Sequence, residues 1–522
     1  MQERMYLGSS ADRFPDKPAL VFADTGVAVT YRELDERSNR IAHALRAWGL
    51  RPGDAIAAVM ANEEHFFDVF WAAIRSGLYF TPVNWHLAAD EMQYVVDDCD
   101  AKVLFASARF ADVVASISEN LPKLERRIAV DGAIPGFERD RDALAPFPTH
   151  RLDDEREGGT MIYSSGTTGR PKGVRPTLGL QPAGTGAVVP GTLGFAMFFG
   201  FDESDRYLCP GPLYHAAPLQ FSQIQHRLGA TVVVMERFDP ERALAAIERH
   251  RVTTSQWVPT HFHRLLRLPD DVKKKYELSS LKIAVHAAAP CPIPVKEAMI
   301  EWWGPKIVEY YAGTEGGGTL IRSDEWLAHK GSVGRHWAGG KVHILDENGG
   351  EVTEPHVDGA IYFEAPEDPA ARFRYHKDDA KTRATYRGNL FTLGDVGHLD
   401  EDGYLYLTDR KSHMIISGGV NIYPQEVENC LASHPDVDDV AVIGVPHEDM
   451  GEEVKAVVQL RPGVAASDAV ASDIIGWARS RIAHYKAPRS VDFVDALPRM
   501  ENGKIYKRLL RDRYWQGRTG RI

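Results

Sequence analysis

Tyr163–Val174 reads YSSGTTGRPKGV, with two serines, two threonines, three glycines and a lysine in twelve residues. That composition suits an anion. Glycines let successive backbone N–H groups turn toward a phosphate, hydroxyls add donors, and Lys172 adds positive charge. Ser164, Ser165, Gly166, Thr167, Thr168 and Gly169 are therefore candidate phosphate contacts. Taken alone, such a stretch reads more readily as a flexible polar loop. The G-x-x-x-x-G-K-[ST] spacing of a P-loop NTPase is absent. Gly184-Thr185-Gly186 is followed by Val189 where G-x-G-x-x-G needs its last glycine, which argues against a dinucleotide fold.

Around this loop the chain alternates strands and helices. Val27–Tyr31, Ala55–Met60 and Tyr79–Val83 read as strands, and Tyr31–Trp48 and Glu64–Gly77 as helices. The same alternation runs from Arg206 through Val234 and from Arg242 to Pro259, and it predicts parallel sheets covered by helices. After about Lys330 the pattern changes to short strands with turn signals, Lys341–Leu345 and Gly359–Glu364 among them. Beyond Arg410 comes a compact mixed segment, with strands at Ile415–Ile416, Ala441–Val445 and Val454–Leu460 and a helix over Ser467–His484. The expected fold is a large α/β N-terminal domain over 1–409, made of helix-covered sheets plus a small β-rich subdomain. A hinge at 410–412 and a small mobile α+β domain over 413–522 complete it.

The chain has 522 residues, enough for at least two domains, and 44% are hydrophobic, an ordinary share for a globular protein. A net charge of −12 argues against a nucleic-acid-binding protein, which carries a basic face. Cys99, Cys209, Cys291 and Cys430 form no C-x-x-C pair, and four reduced thiols are expected. His261 and His263 form an H-x-H with no further ligand close in sequence, so no metal is assigned there. The N-terminus lacks a signal peptide's apolar run, and Gly191–Gly200 is too short to span a membrane. The cytoplasm is the expected location.

Further strings occur in a fixed order: YYAGTEGGG at Tyr310–Gly318, LGD at Leu393–Asp395, DRKSHMIISGGVNIYPQEVE at Asp409–Glu428 and LPRMENGKIYKRLLR at Leu497–Arg511. Together with the phosphate loop they resemble the motif set of the adenylate-forming superfamily, which includes acyl-CoA synthetases, luciferases and the adenylation domains of peptide synthetases. The resemblance covers nearly the whole chain. It implies that Tyr311 stacks on adenine, that Thr314 touches phosphate and that Glu315 holds Mg²⁺, roles that suit an aromatic face and a hard carboxylate. It implies that Asp395 clamps the ribose hydroxyls and Arg410 lies near ribose and phosphate. Ser412 falls at the family's hinge, Gly418 and Gly419 line the pantetheine path, and Lys504 matches the catalytic lysine. More loosely, PLYHAAPL places His215 beside the acyl group, and HAAAPCP places Ala289 against adenine. Ala312 and Leu393 depart from the usual Y-G-x-T-E and T-G-D.

What this resemblance implies is an AMP-forming acid–CoA ligase. ATP activates a carboxylic acid as an acyl-AMP, and coenzyme A, the second co-substrate, then takes the acyl group. Lys504, Glu315, Thr167 and Lys172 are the expected catalytic set. An amino-acid-activating module is disfavoured, because the aspartate such modules carry near the place of His215 is missing and little chain follows Arg511. A luciferase-like oxygenase remains an alternative. A non-catalytic scaffold sharing the motifs is the reading of a different class. Small residues at HAAAPCP and at Gly316–Gly318 hint at room for a bulky acid. Phe195, Phe198, Phe199, Phe201 and Trp257 are candidate pocket walls. A fatty or otherwise hydrophobic acid is expected, with aryl and alicyclic acids as the alternative. The partners implied are small molecules, and a homodimer is left open.

Overall fold

The computed structural model describes residues 4–164, 171–410, 413–417, 420–447, 450–499 and 505–516. Ser165, Gly166, Thr167, Thr168, Gly169, Ser412, Gly418, Gly419 and Lys504 lie outside the described residues.

Helices begin where the sequence supplies caps. At Tyr31–Ala47, Thr30 Oγ1 accepts from Glu33 N at 3.2 Å and Thr30 N donates to Glu33 Oε2 at 2.8 Å. This reciprocal pair satisfies two N-terminal donors that the helix itself leaves unpaired. The apolar face of that helix (Leu34, Ile41, Ala42, Leu45) is buried, as its periodicity requires.

Two parallel sheets form the body. One runs Glu138–Arg139, Arg126–Val130, Ala101–Ser107, Ala55–Val59, Tyr79–Pro82, Gly159–Thr160 across its six strands. The larger sheet has a parallel half in the order Pro18–Phe22, Thr231–Val234, Arg206–Cys209, Thr254–Trp257, Ile283–His286, Ile307–Gly313. Its strands are short and buried on both faces, as parallel strands covered by helices must be, and Thr231–Val234 and Ile283–His286 are largely apolar. The large sheet then turns antiparallel through Gly316–Arg322, Ser332–His336, Leu405–Arg410, Leu390–Leu399, Gly359–Glu364 and Val342–Leu345. An aromatic group, Phe66, Phe67, Phe70, Trp71 and Phe80, packs edge to face between the sheets, with ring centroids 5.2–5.7 Å apart for its closest pairs.

Leu405–Arg410 is the last strand of the large sheet. Ile415–Ser417 opens a separate five-stranded sheet with Val420–Ile422, Gly451–Leu460, Val437–His447 and Ser490–Phe493. Helices Pro424–Ala432 and Asp468–Arg479 pack against it around its own core of Ile415, Val427, Val442, Val458 and Ile474. The chain is therefore a large α/β unit with a β-rich extension followed by a small α+β unit, as the sequence pattern predicts.

Two features position the site. First, the chain goes from Arg206–Cys209 to its neighbour Thr231–Val234 on one side, then crosses to Thr254–Trp257 on the other. Such a reversal of winding opens a crevice at the carboxyl ends of the strands. Second, a three-stranded sheet joins Ile162–Ser164, Lys172–Arg175 and Arg374–Tyr375, so both arms of the phosphate-loop string are tied to a segment two hundred residues later. Among the described residues no helix is long and apolar enough to cross a membrane. The apolar Gly191–Gly200 stretch lies largely in the helix Val188–Phe199.

Candidate active site

A cavity of about 2240 Å³ lies outside the carboxyl ends of the parallel strands of the large sheet and extends to the small unit. A single small-molecule site occupies about 300–1,000 Å³, so this cavity has room for more than one substrate. Its walls come from the segments that follow Arg206–Cys209, Thr254–Trp257, Ile283–His286 and Ile307–Gly313, with Gln425, Arg499 and Lys507 contributed by the small unit.

On one side the polar side chains hold one another. Tyr311 OH donates to Asp395 Oδ2 at 2.6 Å, across the strands Ile307–Gly313 and Leu390–Leu399. Asp395 is buried, so its carboxylate is fixed before any ligand arrives. Thr314 and Glu315 sit in the turn between Ile307–Gly313 and Gly316–Arg322. Tyr375 OH donates to Glu315 Oε1 at 2.8 Å. Lys172 Nζ lies 3.3 Å from Asp378 Oδ2, and Lys381 Nζ lies 4.3 Å over the Tyr375 ring. Burial, and then the charge of Lys172, push the Lys381 ammonium down to about 8. Lys381 and Glu315 thus line one corner of the cavity with the Lys172–Asp378 pair beside them, a charge pattern that suits a polyanion with a divalent cation.

The HAAAPCP turn forms the adjoining wall, and Ala287, Ala288 and Ala289 all line the cavity. Ala288 has φ +78°, a left-handed conformation that costs an alanine energy and persists where the surroundings enforce it. Behind the turn, Lys296 Nζ and Glu309 Oε2 form a buried pair at 2.5 Å, with His286 Nε2 3.6 Å from the same carboxylate. Burial keeps the His286 imidazole well below its usual range, hence neutral.

The structure brings His215, Ala289, Tyr311, Thr314, Glu315, Gly316 and Asp395 to this one cavity, and Lys172 lies behind its wall, paired with Asp378 and next to Lys381. Ser164 and Arg410 end the strands Ile162–Ser164 and Leu405–Arg410. Trp257 is a correction. Strand alternation turns it away from the cavity into the core, where it is 0% exposed, packs on Trp303 at 5.4 Å and donates to Ser255 Oγ at 2.7 Å. Its neighbour Gln256 faces the cavity instead. The glycine run is a second correction. A Cβ at Gly317 would come 2.7 Å from the Phe363 ring, and one at Gly318 would come 2.4 Å from Trp337. These glycines accommodate rings already present rather than leaving room for substrate. Of the four phenylalanines, Phe195 lines the cavity, whereas Phe199 and Phe201 are core and Phe198 stacks near Trp337 at 6.3 Å. His261 is also a packing residue, stacked on Phe238 at 3.9 Å.

Lys381, Gln220 and Gln223 are among the cavity residues that escaped the sequence reading. Lys381 left a faint trace, because Asp378 caps its helix by accepting from Lys381 N at 2.9 Å, and D-D-A-K is a cap spacing. Gln220 and Gln223 left none, since they read as polar breaks in an apolar helix.

An AMP-binding enzyme family model matches residues 7–367, and an AMP-binding enzyme C-terminal domain model matches residues 426–504. A long-chain-fatty-acid–CoA ligase of Mycobacterium tuberculosis is 32% identical over 506 residues, covering 96% of each chain. A feruloyl-CoA synthase of an Amycolatopsis species is 34% identical over 493 residues, covering 94% of each. Among solved structures, ATP-bound MatB from Rhodopseudomonas palustris is similar with a TM-score of 0.82 at 27% identity, covering 98% of this chain and 99% of that one.

Proposed function

We propose, from the premise that this chain belongs to the AMP-binding enzyme family and is an AMP-forming acid–CoA ligase, how its own residues divide the work. In the first step a carboxylate oxygen attacks the α-phosphorus of ATP and pyrophosphate leaves. In the second the thiol sulfur of coenzyme A attacks the acyl carbonyl, AMP leaves and the thiol proton is released. Both steps bring anions together, so positioning and charge stabilisation are the protein's main contributions.

The nucleotide occupies the side built by Tyr311, Asp395 and the Ala287–Ala289 turn. Tyr311 offers an aromatic face to adenine, Asp395 offers acceptors to the ribose hydroxyls, and Thr314 reaches phosphate. Arg410 assists at ribose and phosphate. The loop of Ser164, Ser165, Gly166, Thr167, Thr168 and Gly169 cradles the β- and γ-phosphates, with Lys172 and Lys381 supplying charge. Glu315 is the residue that would hold Mg²⁺. One of its oxygens is taken by Tyr375, and a carboxylate oxygen is the donor this hard cation prefers. When bound, Mg²⁺ neutralises charge on the phosphates.

The small unit carries Lys504, which contacts the carboxylate and α-phosphate in the first step. Rotation about Ser412 then replaces it with the Gly418–Gly419 face, past which the pantetheine arm enters. The domain limits are accordingly 1–409 and 413–522. His215 stands beside the acyl group, and the acid is a hydrophobic one. Apolar lining by Phe195, Leu219 and Phe221 supports this, and so do relatives that act on fatty and aryl acids.

The observation that carries the nucleotide assignment is the 2.6 Å Tyr311–Asp395 bond in the wall that also holds Glu315. Asp395→Ala is expected to raise the KM for ATP at least about a hundred-fold, from two lost hydrogen bonds to a charged group at about 1.5–3 kcal/mol each. Initial rates over a range of ATP concentrations test this, and an unchanged KM for ATP would remove Asp395 from the ribose site.

A further inference from the structure

The helix Ala216–Leu228 runs about 20 Å along the cavity, starting next to His215. Ala216, Gln220, Gln223 and Arg227 all line the cavity, and their spacing of four, three and four puts them on one face of the helix. Apolar groups, among them Phe195, Val188 and Ile74, line the same cavity. The stretch of cavity along this helix, which we call the channel, therefore combines hydrocarbon lining with a polar stripe that leads away from His215.

The stripe is not fully satisfied. Gln223 Nε2 donates to Gln220 Oε1, which leaves Gln220 Nε2 and Gln223 Oε1 with no hydrogen bond among the described residues. Gln256, on the strand Thr254–Trp257, also lines the cavity; it donates from Nε2 to Trp257 O at 3.2 Å, and its Oε1 is likewise unbonded among the described residues. Gln223 is 9% exposed and Gln256 is 3% exposed, and the open amide atoms of all three glutamines border the cavity rather than being sealed in the core. Arg227 differs. Its guanidinium is paired with Glu157, donates to Met5 O at 2.8 Å and lies 5.2 Å over the Trp71 ring. Paired in this way, it has no need of an anionic ligand.

We infer that the acid this enzyme activates is an apolar acid carrying a neutral oxygen function, a ketone or a hydroxyl, in the half distant from its carboxylate. Gln220 and Gln223 lie about 7 and 12 Å along the helix axis from His215, and that sets the position of the oxygen. This inference rests on the acid–CoA ligase reading. A saturated chain in the same channel would leave one donor and two acceptors against hydrocarbon, or displace the waters that serve them. A site built to hydrogen-bond a substrate discriminates strongly against the analogue that lacks the group.

The experiment compares acyl-CoA formation by the wild-type enzyme with decanoic acid and with decanoic acids bearing a ketone or a hydroxyl in the distal half. The oxygenated acids are expected to show kcat/KM at least about ten-fold higher. In a Gln220→Leu/Gln223→Leu variant the order is expected to invert. Gln256→Leu, whose side chain lies on the sheet rather than on the helix, is a second variant expected to narrow the gap. Equal kcat/KM for plain and oxygenated acids in the wild type overturns the inference, and that result needs no variant to fold. Failure of every acid to yield acyl-CoA in the wild type would instead overturn the ligase reading itself.

Discussion

On the nucleotide side of the cavity the polar groups pair with each other: Tyr311 with Asp395 at 2.6 Å, Tyr375 with Glu315 at 2.8 Å, Lys172 with Asp378 at 3.3 Å. On the acyl side, Gln220, Gln223 and Gln256 each leave an amide atom open to the channel. The first arrangement is preorganised. Its geometry exists before substrate binds and needs no reorganisation as charge develops. The second waits for a partner, and so it is where one acid is told from another. Nucleotide chemistry and acid choice are therefore separable, and each prediction below tests that separation.

The largest effect is expected at Lys504. Lys504→Ala should cut acyl-AMP formation by at least about 10²–10³-fold, and by the same factor for every acid, because the lysine acts on the phosphate side. Thioester formation from supplied acyl-AMP should be nearly unchanged. Single-turnover measurements of each half-reaction check both points. A loss that varies with the acid would break the separation, and equal loss in both half-reactions would break the two-face model of the small unit.

Trp257→Ala comes next. This ring is core, so its loss should cost about 3–5 kcal/mol of stability. The ratio of kcat/KM between oxygenated and plain acids should stay as it is in the wild type, measured below the lowered melting temperature. A changed ratio would return Trp257 to the pocket wall.

The smallest effect is expected far from the cavity, at His65. Hydrogen bonds to Asp131 and Asp68 outweigh burial and push its imidazole up to about 10. A group charged more readily in the fold stabilises it fully below the unfolded value, about 6.5, and that stability is lost as pH rises toward 10. His65→Gln should therefore lower the melting temperature at pH 6 and change it little near pH 10. Acid preference should be the same at both values. A melting difference that grows with pH would reverse the assigned charge state.

The nucleotide side was legible in the sequence because its groups lie in short consecutive strings. Tyr311, Thr314 and Glu315 fall within five residues, and a strand followed by a turn must present them together. The parallel sheets were legible for a similar reason, since Ala55–Val59 and Tyr79–Pro82 are apolar runs between helical periods. The acyl side was not legible. Its walls come from segments near residues 74, 188, 220 and 256, and nothing local says which face of each meets the others. Trp257 shows the cost of this. Strand alternation makes either Gln256 or Trp257 face the cavity, and only the packing of Phe262 and Trp303 against the sheet settles which. Gly317 and Gly318 misled in the same way, because a missing side chain marks close approach as readily as empty space.

The central claim is acid activation through acyl-AMP followed by transfer to coenzyme A. Its most direct measurement follows the products of ATP in the presence and absence of acid and of coenzyme A. Purified enzyme should release AMP and pyrophosphate only when an acid is present, turn over continuously only when coenzyme A is added, and form one acyl-CoA per AMP. Release of ADP and phosphate, or AMP formation that needs no acid, would contradict it.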